Sequence, residues 1–74
     1  MEEFRSLDGE FTIKVSRHTL EAEEIPTIIA EIGAIMLNLS KAYDDLHQGD
    51  ISGLAGDFIR IYESVKKIKE EIED

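Results

Sequence analysis

From residue 28 the chain reads IIAEIGAIMLNL, where Glu31 is the only charge and Gly33 and Asn38 are the only other positions that are not apolar. Ile28, Ile32, Ile35, Leu39, Ala42 and Leu46 follow a 4-3-4-3-4 spacing. At 3.6 residues per turn that spacing is one line along a helix. Ile29, Met36 and Tyr43 make a second line, roughly 80° round from the first. Leu37, Ala30 and Ala34 lie on the back. A single neighbouring helix does not cover so wide an apolar surface, so the pattern predicts a core helix with several neighbours.

Pro26 suits the first turn of a helix and biases Ile25 towards an extended backbone, which places the helix at 26–48. His47 stands in its last turn, Gly49 is suited to a left-handed C-terminal cap, and Asp50 is the next N-cap. A second helix is expected over 50–73. Its seam is Ile51, Leu54, Phe58, Ile61, Val65, Ile68 and Ile72 in a 3-4-3-4-3-4 spacing, widened by Ala55, Ile59 and Tyr62. Two long helices joined by so short a turn fold back antiparallel. Glu63 with Lys67, Lys66 with Glu70, Lys67 with Glu71 and Lys69 with Glu73 form i,i+4 pairs on a solvated face. Gly53 and Gly56 lie off the seam. They fit a loosely held first turn as well as a close approach by the N-terminal segment or another chain.

Upstream, residues 1–18 predict a small β element. Asp8-Gly9 sits between two short alternating runs, the signature of a two-residue type I′ hairpin. The register that follows sets Phe4 opposite Ile13 and Glu3 opposite Lys14, with Phe4, Phe11, Ile13 and Val15 on one apolar face. Residues 19–25 are a connector with one short helical turn, for which Thr19 is the candidate cap. A lone hairpin of two strands is marginal in water, so its apolar face is expected on the helices or against a second copy.

The 74 residues form one domain, and a chain this short usually draws stability from a staple or a partner. With no cysteine, the remaining staple is self-association. The start has no basic and apolar leader, and the apolar run is short of the ~20 residues of a membrane span, so the expectation is a cytoplasmic chain with no membrane role. Seventeen acidic residues against eight basic ones give a net charge of −9. That balance opposes nucleic acid phosphates and anionic lipid, and favours a basic protein partner.

Candidates for chemistry are few. Asp44, Asp45, His47 and Asp50 cluster at the helix turn, but Asp44 and Asp45 point about 100° apart and no glycine-containing calcium loop surrounds them. Capping and solvation account for them, and no metal is expected. Glu21 and Glu24, with Glu31 two turns on, begin a carboxylate set, yet no matching acidic pair occurs on the second helix. They instead complement a helix dipole together with Glu23. His18 has neither an acid beside it nor a nucleophile to activate. Tyr43 and Tyr62 read as interface aromatics, and no phosphate loop is present. No catalytic residue and no cofactor is expected.

The fold expectation is therefore mainly α: an antiparallel helical hairpin that forms a four-helix bundle by homodimerisation, with a small N-terminal β-hairpin or strand. Ile29, Ile32, Met36, Tyr43, Ile59 and Tyr62 are the expected self-association interface. Glu21, Glu23, Glu24, Asp44, Asp45 and Asp50 are the acids expected to face a basic partner. The functional expectation is a small non-enzymatic interaction or regulatory protein. Two alternatives follow from the same residues. Strand, helix, helix is the order of a ribbon-helix-helix DNA-binding module, with Thr12, Lys14 and Ser16 towards the groove. An acidic inhibitor that occupies another protein's DNA-binding surface would need only the charge.

Overall fold

A computed structural model describes residues 2–17 and 19–73. Two strands, β1 (Glu2–Arg5) and β2 (Thr12–Val15), precede two helices, α1 (Glu24–Gln48) and α2 (Ile51–Ile72). The strands pair antiparallel, with Phe4 opposite Ile13 and Glu3 opposite Lys14. The helices pack against each other as an antiparallel hairpin.

The strand register is the one expected, but the turn is built differently. Among the described residues only glycines have positive φ, so Asp8 does not adopt the left-handed conformation that a type I′ turn requires. The loop opens to four residues between Ser6 and Phe11, whose backbones bond at 2.9 Å, and the Ser6 carbonyl accepts from the Gly9 N–H. Gly9 alone supplies the positive φ, at 75°. Asp8 contributes through its side chain, accepting from the Ser6 hydroxyl and the Glu10 N–H. Those bonds, the Ser6 one foremost, hold its carboxyl below the ordinary range.

Helix α1 begins at Glu24, two residues before the expected start, so Ile25 is helical despite the proline that follows it. The Glu24 carboxylate makes that start workable. It receives both terminal nitrogens of Arg17, at 2.8 and 2.5 Å, and the Glu21 N–H at 2.8 Å. Arg17 also donates to the Glu71 carbonyl, which ties the connector to the end of α2. Pro26 falls within the first turn, where a missing N–H costs nothing. Thr19 is not the cap.

The tight turn follows the sequence closely. Gly49 closes α1 with φ 70°, and Asp50 opens α2 by accepting the Gly53 N–H at 3.0 Å. Gly53 is hemmed in by its own chain. A methyl group there would stand 2.5 Å from Asp50 Oδ2 and 2.8 Å from Asp45 Oδ2.

The main departure is the line along which the helices meet. Ile28, Ile35 and Ala42 of the expected seam do face α2, but with Glu31, Ala34, Asn38 and Asp45 rather than with Ile32, Leu39 and Leu46, which are exposed. On α2 the facing residues are Gly53, Leu54, Asp57, Ile61, Ser64 and Ile68, while Ile51 and Phe58 point to solvent. The contact line is thus rotated on each helix towards small and polar residues. Among the described residues the fully buried positions are Asn38, Ala42, Asp57 and Ser64.

Small side chains let the helices approach closely, and the polar ones pair across the gap. Asn38 donates to the Ala34 carbonyl at 2.9 Å and accepts from Arg60 Nε at 3.0 Å. Arg60 in turn bonds the Asp57 carboxylate. At the other end of the hairpin, Glu73 accepts the Lys14 N–H at 2.9 Å and meets Lys69 at 3.8 Å, and Lys69 lies over the Phe11 ring. The β element is held there, against the end of α2.

Candidate interaction face

Rotating the contact line inward turns a second line outward. On α1 this line is Ile25, Ile29, Ile32, Met36, Leu39, Tyr43 and Leu46, every one of them exposed. Their 4-3-4-3-4-3 spacing is an unbroken heptad seam through nearly the whole helix. On α2 the exposed apolar positions are Ile51, Phe58, Ile59 and Tyr62, with Ala55 between them.

Helical geometry sets where these lines lie. On α1 the outer line is roughly 100° from the line that meets α2, and on α2 the corresponding rotation is similar and in the same sense. In an antiparallel pair, equal rotations in the same sense bring the two rotated lines to the same side. The outer lines of α1 and α2 therefore form one apolar face, and the back of the hairpin carries Lys41, Arg60, Glu63 and Lys67. The chain measures 43 × 30 × 12 Å across its principal axes. Its least dimension is about one helix diameter. The protein is a single layer with nothing over its apolar side.

All six residues expected to mediate self-association lie on this side and are exposed, from Met36 at 65% to Ile32 at 45%. Tyr43 stacks on His47 of the next turn, with ring centroids 4.4 Å apart. Sequence reasoning missed Ile25, Leu39, Leu46, Ile51 and Phe58 as members of the face. The signal was present: Ile25 extends the heptad line by one position, but assigning it to the connector hid the start of the seam.

The acids separate into free and engaged. Glu21, Glu23 and Asp44 are exposed. Glu24 is held by Arg17, and those hydrogen bonds, then the Glu21 N–H, keep its carboxyl below the ordinary range. Asp50 is committed to its cap. Asp45 lies against Asp57 in the helix contact, and that neighbour, ahead of burial and the charges of Asp50 and Asp44, pushes its carboxyl upward. Asp57 is held low by the same contact and by Arg60 and Lys41. Among the described residues no group of three His, Cys, Asp or Glu is placed to hold a metal ion. His18 lies outside the described residues.

A shallow cleft of about 260 Å³ opens where the β element meets the helix ends, between Phe4, Val15, Leu20 and Ile72. Arg17, its cation, is already bonded to Glu24 and Glu71. Helix α1 is long and apolar enough to cross a membrane by length and composition. That helix also carries Glu31, Lys41, Asp44 and Asp45, and Ile28, Ile35 and Ala42 face α2. No family model matches this chain, and no curated protein and no solved structure shows significant similarity to it.

Proposed function

We propose that this chain is a non-enzymatic interaction protein whose working unit is a homodimer, a four-helix bundle made by laying the apolar faces of two hairpins together. The observation that carries this reading is the one-sided apolar face on a molecule one helix thick. Domains bury such faces between two packed layers, and this chain supplies one. Eleven large apolar side chains from α1 and α2 lie on the face, enough for about 800 Å² per subunit, the size of a standard stable interface. A second copy presents the same heptad-spaced apolar line and supplies the missing layer. A two-fold axis sets the same apolar lines against each other and leaves in water the backs, which carry Lys41, Arg60, Glu63 and Lys67 beside Leu37.

Size-exclusion chromatography with light scattering tests this. The expected mass is twice 8.4 kDa at micromolar concentration, falling to one chain in Met36→Asp. A folded monomer at that concentration overturns the reading.

Charge supports a further partner. Doubling −9 to −18 gives a surface suited to a basic protein, with Glu21, Glu23 and Asp44 as its free carboxylates. Replacing those three by their amides should slow association more than it speeds dissociation. The DNA-binding alternative has less support. Strand β2 pairs with β1 of its own chain, and the Lys14 N–H on its other edge is taken by Glu73.

A further inference from the structure

The side chain least compatible with its surroundings is Asp57, 1% exposed in the middle of the helix contact. One of its oxygens is bonded to Arg60, and the other, Oδ2, is buried with no hydrogen-bond partner. A buried acceptor of this kind is costly unless something donates to it. The neighbour within hydrogen-bonding reach is another carboxyl, that of Asp45 on α1. Asp50 adds a third, because Asp45 Oδ2 and Asp50 Oδ2 both lie within 2.8 Å of the place where a Gly53 methyl would stand. The cations facing this group are Arg60 from α2 and Lys41 from α1. The acids are Asp44 and Asp45 from α1, Asp50 from the turn and Asp57 from α2. His47 is turned aside onto Tyr43.

We propose that the turn end of the hairpin closes on a single shared proton, taken from solvent and held by a neutral Asp45 carboxyl that donates to Asp57 Oδ2, so that mild acid tightens this end of the molecule. A donor there satisfies the orphaned oxygen and removes one charge from a crowded group. The expected sign follows from each direction of shift. Asp45, raised in the folded chain, binds its proton before the unfolded chain does, so its contribution is full below the ordinary value of 3.8 and declines as pH rises through the raised one. Asp57, lowered, contributes above 3.8 and loses that only in stronger acid. At the opposite end Glu24, also lowered, weakens as pH falls below its ordinary 4.5. Acid therefore tightens the Asp45 end of the hairpin as pH falls through the raised value, whereas the Glu24 end loosens below 4.5.

The test is Asp45→Asn, whose amide donates to Asp57 at every pH. At fixed protein concentration its melting temperature at about pH 7 should exceed that of the parent by roughly 3–6 °C, and the gap should narrow as both are taken towards pH 5. Asp44→Asn removes the same charge without supplying the donor and should raise it by less. Carboxyl-carbon NMR of the parent should show Asp45 titrating above its ordinary value of 3.8. An Asp45→Asn chain that is unfolded, no more stable than the parent at pH 7, or matched by Asp44→Asn overturns the proposal, as does an Asp45 carboxyl that titrates at or below its ordinary 3.8. Because the contact lies within one chain, none of these outcomes depends on the dimer.

Discussion

The two long faces of the helical hairpin invert the usual arrangement. Where α1 and α2 touch, the fully buried residues are an alanine, an asparagine, an aspartate and a serine, and on the side that meets solvent are eleven large apolar residues. A contact line of small and polar groups gives close approach and specific pairing but little burial of apolar surface, so it fixes how the helices align better than it holds them together. The outer face has the opposite character. It offers much apolar area and no polar registration. A single chain therefore sets its own alignment through one face and leaves most of its large apolar side chains exposed on the other.

That contrast can be broken most forcefully on the outer face. Met36→Asp puts a charge into the middle of the apolar seam without touching the α1 to α2 contact, and should weaken self-association at least about 100-fold, read by sedimentation equilibrium. Helicity should fall as well at low concentration, because the hairpin loses its cover. The inner face is probed by Asn38→Ala, which removes the link between the Ala34 carbonyl and Arg60. It should cost about 1–2 kcal/mol in chemical unfolding while the subunit stoichiometry stays the same.

Two glycines sharpen the comparison through opposite signs. Gly49→Ala forces a β-carbon into a φ of 70° and should destabilise by about 1 kcal/mol. Gly33→Ala adds its methyl to open space on α1 and should stabilise by up to about 1 kcal/mol. A destabilised Gly33→Ala would mean that a partner backbone comes close to that flank of the seam. Deleting residues 1–9 should have the smallest effect, removing β1 and loosening the end of α2 at Glu73 while circular dichroism keeps most of the helical signal.

Much of the fold was legible from local chemistry. Asp8-Gly9 located the strand turn and its register, and Gly49 with Asp50 located the helix turn to the residue, because left-handed glycine and side-chain capping are local requirements. The type of strand turn was not legible, since Asp8 satisfies its neighbours through a side chain that also suits a four-residue loop. The start of α1 was hidden in the same way. Pro26 argues locally against a helical Ile25, and the carboxylate that compensates, Glu24, depends on an arginine seven residues earlier.

Two amphipathic helices in an antiparallel hairpin after a small β element, with an apolar surface too wide for one helix contact, are readable from the residues alone. These follow from spacing and turn chemistry, which act over a few residues. Only the tertiary structure decided which of two neighbouring heptad lines lies between the helices. Sequence reasoning gave the inner line to Ile32, Leu39 and Leu46 because burial of apolar surface is the stronger general rule. In the folded chain Asn38, Asp57 and Ser64 are buried along it, and Arg60 reaches in from the back to bond Asn38 and Asp57. The partners that join the two helices, Asn38 and Arg60, stand 22 residues apart in sequence, so no local pattern reveals that they meet.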